Sequence, residues 1–187
     1  FSQIDGTRTT VDMMRRTGEV EYGEGTGYKA VRLPYGDESL SMILLLPTGG
    51  TDVNQWIEKL GPDSFAAIRS SITPQDEVVL GLPKFRMEYG IKELNDALIA
   101  MGMELPFSPL ADLSGIRAGV YISQVLHKAV IEVNEEGSEA AGVTVVVVEE
   151  SAAAEPLAFI ADRPFLFLIA EEETDTILFL GKYGRVE

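Results

Sequence analysis

The sequence predicts a mixed, multi-sheet α+β fold, and three observations carry that expectation. Two apolar segments, Tyr28 to Pro34 and Leu40 to Pro47, flank the turn-rich connector Tyr35-Gly36-Asp37-Glu38-Ser39 and read as a hairpin. From Thr51 the apolar spacing becomes helical, through Val53, Trp56, Ile57 and Leu60. Leu157 to Ile169 and Thr176 to Tyr183 are nearly continuous apolar runs, the pattern of strands buried on both faces.

The elements follow in order. Residues 1–18 are polar, with a short amphipathic stretch around Val11, Met13 and Met14, and strands begin with the hairpin. Thr51 or Asp52 can cap the first helix and Gly61-Pro62 ends it. Trp56 reads as the core anchor of that helix. A second short helix runs through Phe65, Ile68 and Ile72, and Glu77 to Phe85 returns to strand character. Gly90 to Met101 reads as an amphipathic helix through Ile91, Leu94, Leu98 and Met101, stopped by Gly102. A loop through Pro106, Pro109 and Gly115 leads into a long strand, Val120 to Val133. One face of that strand carries Tyr121, Ser123, Val125, His127, Ala129, Ile131 and Val133. The last two strands are joined by a turn over Glu171 to Asp175. No internal repeat is visible, and no linker divides the chain.

Composition excludes several functions. The 187 residues include 30 acidic and 15 basic ones, for a net charge of −15, and no cluster of Lys and Arg that could track a phosphate backbone. The same charge repels anionic membrane surfaces. With 45% hydrophobic and 24% charged residues the chain can bury a core, far from the disordered regime. The longest apolar runs, Met42 to Leu46 and Phe165 to Ala170, fall short of the roughly 20 residues a membrane-spanning helix needs. The absence of Cys removes disulfides, thiolate nucleophiles and Cys-containing zinc sites, and His127 is the single His.

The acidic clusters Glu135-Glu136, Glu149-Glu150 and Glu171 to Glu173 lack the spacing and glycine of a calcium loop and read as solvated surface. No metal and no cofactor is expected. Asp112 with Ser114, or Ser151 with His127, could be drawn as hydrolase constellations, but no Gly-x-Ser-x-Gly elbow supports either. No catalytic residue is assigned, and the chain does not read as an enzyme.

The stretch Glu135 to Pro156 lies between two strands and mixes two chemistries. Its middle, Val143 to Val148, has strong strand propensity, while its ends are small-residue, acidic and Pro-terminated. A loop this long inside a compact domain signals function. In extended form one face shows Ser138, Ala140, Gly142, Thr144, Val146 and Val148, a row that begins with small side chains and can slide between two strands. Alternatively, Val143 to Val148 is one more core strand. The Val145 to Val148 run, if exposed, is an aggregation hazard moderated by Glu149 and Glu150.

Two signatures give these elements a family. Lys128-Ala-Val-Ile-Glu-Val-Asn-Glu-Glu-Gly-Ser-Glu-Ala-Ala141 resembles the serpin hinge. Phe159-Ile-Ala-Asp-Arg-Pro-Phe-Leu-Phe-Leu-Ile169, followed by Leu178-Phe-Leu-Gly-Lys182, is similar to the serpin carboxy-terminal signature. Further agreement comes from Val11-Asp-Met-Met14, Val31-Arg-Leu-Pro-Tyr35, Leu44-Leu-Leu-Pro47, Leu82-Pro-Lys-Phe85 and Ala111-Asp-Leu-Ser-Gly-Ile116.

The resemblance implies a serpin fold with mostly antiparallel sheets and a few helices. It also implies that residues 1–187 are the carboxy-terminal portion of a single serpin domain, with the missing amino-terminal half of the same serpin as a partner. The reactive loop then spans about 137–156 and the hinge is Glu136, Gly137, Ser138, Glu139, Ala140, Ala141, Gly142, Val143 and Thr144. No bulky, charged or Pro side chain stands on its inward face from Ser138 to Thr144, which favours an inhibitor over a non-inhibitory binding or chaperone serpin.

The implied activity is suicide inhibition of a serine protease through a covalent acyl complex, with the cleaved loop inserting into the main sheet of a metastable fold. Counting from Gly137 places the reactive bond at Ser151-Ala152, counting back from Arg163 places it at Ala153-Ala154, and a cut after Glu150 would suit a glutamate-preferring enzyme. Small residues at the bond suit elastase-like or subtilisin-like proteases. His127 matches the family's sheet-gating histidine; read alone, among Val125, Ala129 and Ile131, it is a satisfied buried histidine. No signal peptide is visible at Phe1, and family analogy suggests an extracellular protein.

Overall fold

The expected hairpin forms the middle of a seven-stranded sheet. In the computed structural model, which describes residues 1–135 and 156–186, β1 is Met13–Gly25, β2 Tyr28–Tyr35, β3 Leu40–Pro47, β4 Thr73–Pro83, β7 Leu157–Ile160, β8 Phe165–Glu171 and β9 Ile177–Tyr183. Their order across the sheet is β7-β4-β1-β2-β3-β8-β9. Every neighbouring pair is antiparallel except β4 with β7, which is parallel. β3 is the hydrophobic spine: Ser41 to Pro47 are all buried, because β2 and β8 flank it and both of its faces are covered.

Two helices lie on one face of this sheet. α1, Val53–Ile57, begins where the Asp52 carboxylate accepts from the amides of Asn54 (2.9 Å) and Gln55 (3.2 Å), the cap expected from the sequence. α2, Pro62–Ser71, has Pro at its first position, where the missing N–H costs nothing. Trp56 and Ile68 from these helices close a core with Ala30, Ile43, Leu45, Leu166, Leu168 and Ala170. The end of α2 approaches β1 so closely that a Cβ at Gly23 would lie 2.6 Å from the Ser71 hydroxyl. An aromatic cluster of Phe85, Phe165, Phe167 and Tyr183 makes a second core. Its Phe85 and Tyr183 rings are stacked at 4.6 Å.

The chain packs as two compact units, Phe1–Phe85 with Val133–Glu187, and Arg86–Glu132. The second unit holds most of β5 (Phe85–Glu93), α3 (Asn95–Ala100), a 3-10 turn at Leu105–Phe107 and most of β6 (Leu126–Val133); β5 pairs with β6.

Five expectations change. Residues 13–25, of which 13–18 read as part of a polar opening stretch and 19–25 carry no expected element, form the longest described strand. Arg15, Arg16, Glu19 and Glu21 mask its pattern, and pairing on both edges, with β4 and β2, holds it in place. The helix expected from Gly90 starts only at Asn95, because Gly90 to Glu93 continue β5. The long strand expected from Val120 starts only at Leu126. Its first part is held by Asn95, whose side chain donates to Ser123 O (2.9 Å) and accepts from Val125 N (2.8 Å).

The run Leu157 to Ile169 is two strands, not one. Asp162-Arg163-Pro164 break it, and its halves pair with β4 and β3 on separate parts of the sheet. Burial on both faces holds for β8 and fails for β9. β9 pairs with β8 alone among the described strands, and Ile177, Leu178, Phe179 and Leu180 are exposed. The expectation that Trp56 anchors its helix in the core agrees with its burial.

Candidate functional site

All of the expected hinge, Glu136 to Thr144, and all of the candidate reactive bonds, Glu150 to Ala154, lie outside the described residues. What the structure gives is the two stems of that segment, one paired with β4 and the other with Lys84, the residue just past its end. On the leading side, β6 ends at buried Val133, and Glu135 accepts an ion pair at 2.7 Å from Lys84, the residue that follows β4. That hydrogen-bonded pairing holds the Glu135 carboxyl below its ordinary value and raises the Lys84 ammonium.

On the trailing side, β7 lies parallel to β4 in the register Val78↔Leu157 to Gly81↔Ile160. Two further bonds hold that stem, Lys29 Nζ donating to Ala158 O (2.8 Å) and Ala161 N donating to Gly81 O (2.8 Å). Asp162 then accepts from Ser2 N (2.7 Å), and Arg163 Nε donates to Pro47 O (3.1 Å). These contacts turn the chain out of β7 towards β8.

The spacing of the stems limits what the segment between them must do. Lys84 and Val78 are a few positions apart along one extended chain, a span on the order of 20 Å at about 3.3 Å per residue. A chain the length of residues 136–155 can extend on the order of 60–70 Å. The connection is therefore far longer than closure of the gap requires. Parallel pairing of β4 with β7 also needs a long crossover, which residues 84–156 supply.

His127 is exposed on β6, not buried. It was expected inside because of its apolar neighbours, but Leu126 and Val130 on the same strand are exposed too, and β6 pairs only with β5 among the described strands. Its ring is 6.3 Å from that of Tyr89, which in turn lies 5.7 Å from Lys92 Nζ. The neighbouring Lys128 pairs with Glu88 at 2.5 Å. Asp112 and Ser114 form a local turn in which Ser114 N donates to the carboxylate at 3.2 Å.

The acidic cluster Glu171 to Glu173 is not wholly solvated surface. Glu172 is partly buried and ion-paired with Arg32 (2.7 Å) and Arg69 (3.1 Å). The stem anchors Lys29 and Lys84 were not recognised from sequence as holding anything, since their partners are remote along the chain.

A family model described as Serpin (serine protease inhibitor) matches residues 1–185. Iris from Ixodes ricinus is 39% identical over 187 residues, covering 97% of this chain and 49% of its own. Serpin B4 from Homo sapiens is 39% identical over 184 residues, with 95% and 47% covered. Intracellular coagulation inhibitor 2 from Tachypleus tridentatus is 39% identical over 199 residues, with 96% and 48% covered, and its name means that kinship does not place this protein outside the cell. The chain thus spans about half the length of the curated relatives it matches.

Among solved structures, native tengpin, a thermophilic serpin, superposes with a TM-score of 0.76 at 29% identity, over 100% of this chain and 49% of its own. Native protease nexin-1, crystallised with heparin, superposes with a TM-score of 0.79 at 29% identity, over 99% and 49%.

Proposed function

The chain belongs to the serpin family, and from that premise we propose that it carries the bait segment of a serine protease inhibitor, residues 137–156, with its hinge at Glu136 to Thr144. One observation supports this most. An over-long connection leaves the end of β6 at Glu135 and returns through β7, with both stems clamped to β4 or its end. Two stems held near one another, with a connection much longer than the gap, suit a loop offered to a protease and later drawn away.

The chemistry proceeds in two steps. The protease serine attacks the scissile carbonyl, the C–N bond breaks, and the new amine leaves with the serine proton. An acyl ester then joins the protease to the residue before the cut. Insertion of the freed strand must outrun hydrolysis of that ester. Serpin loop insertion is itself a standing example of strand addition and of stored strain released by cleavage. Ser151, Ala152, Ala153 and Ala154 suit elastase-like or subtilisin-like enzymes, with Glu150 as the site for a glutamate-preferring one. This chain then acts as a substrate-like trap and not as an enzyme.

The trap works within a longer serpin chain. The exposed apolar residues Ile177, Leu178, Phe179 and Leu180 in one unit, and Tyr89, Ile91, Leu126 and Val130 in the other, are surfaces that further chain would cover. On this reading His127 gates the sheet opening from β6.

The test mixes the full-length protein with elastase-like, subtilisin-like, glutamate-specific and trypsin-like proteases. A boiling-resistant complex with the first or second, and a released peptide beginning at Ala152 or Ala154, is the expected result. Clean cleavage by every enzyme with no covalent complex overturns the inhibitor reading in favour of a non-inhibitory serpin.

A further inference from the structure

Glu172, in the turn from β8 to β9, is the centre of a charged cluster that joins four other elements. Its carboxylate accepts from the buried Ser41 hydroxyl of β3, pairs with Arg32 of β2 at 2.7 Å and pairs with Arg69 of α2 at 3.1 Å. Glu21 of β1 takes the other side of Arg32, with Arg32 Nη2 donating to Oε1 at 2.9 Å. Asp175, in the same turn, pairs with Arg69 Nη2 at 2.8 Å. Of the remaining acids in the turn, Glu173 is exposed, and Glu171 is engaged with the amides of Glu173 (3.0 Å) and Thr174 (2.7 Å).

The two guanidiniums are not equally secured. Arg32 keeps Glu21 if Glu172 loses its charge. Arg69 does not: both of its acceptors are carboxylates of the turn, and its Nη1 is buried without a hydrogen-bond partner among the described residues. A cavity of about 190 Å³ lined by Glu21, Arg32, Ile43, Arg69 and Ile72 lies beside it, so water and protons reach the cluster. Arginine does not deprotonate at accessible pH. Once Glu172 is protonated, the partly buried Arg69 keeps only the exposed Asp175 as a countercharge, and loosening of the end of its helix towards water relieves it.

We infer that Glu172 is an acid-labile latch that holds the end of α2 on the sheet through Arg69. Burial of Glu172 disfavours its charge, but Ser41, Arg32 and Arg69 outweigh that, so its pKa is held below the ordinary 4.5. The sign follows: the latch is fully closed above the ordinary carboxylate value and opens as pH falls through the lowered one. Ile68 and Phe65 still anchor α2 in the core, so the helix loosens locally and the sheet stays intact.

Amide exchange followed by mass spectrometry on the full-length protein between pH 7 and pH 3, corrected for intrinsic rates, tests this. As pH falls from the ordinary carboxylate value to the lowered Glu172 midpoint, exchange in α2 should accelerate by up to about tenfold per pH unit and then level off, while β3 and β8 stay protected. Glu172→Gln should exchange rapidly at pH 7 with no further acid step. Asp175→Asn, at an exposed position, removes the outer carboxylate and should leave the acid step of α2 in place. The latch is overturned if α2 opens only together with β3 and β8, if Glu172→Gln keeps the wild-type pH profile, or if Asp175→Asn abolishes the acid step.

Discussion

A Cβ built on Gly181 would lie 2.1 Å from Cζ of Phe167, its register partner across the β8–β9 pair. The Phe167 ring therefore occupies the space above β9 where a side chain would stand, and it does so as part of the cluster with Phe85 and Tyr183.

Gly181→Ala forces that ring out of its place. Overpacking of this kind costs about 1–3 kcal/mol, and a contact at this distance belongs at the upper end. Chemical denaturation should show the loss. The companion Phe167→Leu, which vacates the ring edge, should recover part of it in the double variant; additive losses would mean that the two residues do not compete for the same space.

Lys29 is the side-chain tether of β7. Replacing it by Met keeps the aliphatic stem and removes the donor to Ala158 O, for a cost of about 1–2 kcal/mol. The loss should concentrate in β7, so the Phe159 amide should exchange about tenfold faster while the amides of β2 and β3 keep their rates. Equal acceleration through the whole sheet would assign Lys29 a global role instead.

Lys84 and Glu135 form an exposed pair, so its rupture should scarcely change the melting temperature. Its electrostatic signature is local. In the wild type the hydrogen bond from Lys84 holds Glu135 below its ordinary value, and in Lys84→Met its midpoint should rise. The pair contributes its small stabilisation above pH 4.5 and loses it as pH falls through the lowered pKa. Carbon-detected NMR titration of the glutamate carboxyls reads both; an unchanged Glu135 midpoint in the variant would detach this stem from β4.

The sequence spoke clearly where burial was extreme or the turn chemistry local. The β2–β3 hairpin, the Asp52 cap and the Trp56 anchor depend on residues within a few positions of each other. β1 stayed hidden because a strand paired on both edges need not be apolar, and its Arg and Glu residues look like a polar stretch. Glu172 looked like solvent-facing charge because its two arginine partners lie far upstream, at 32 and 69. The candidate site was legible as a family signature in 128–141 and 159–169. The pairing of its stems with β4 and Lys84 was not, because contact between Lys84 and Glu135 leaves no local periodicity.

The central position of β3 sets a timing problem for the ribosome. Its partner strand β8, paired as Leu44↔Phe167, is synthesised roughly 120 residues later, a delay of about 6–25 s at ordinary elongation rates. During that interval Met42 to Leu46 are already made while one edge of their strand stands open. Until β8 emerges, the open edge of this apolar strand is available for pairing with another nascent copy.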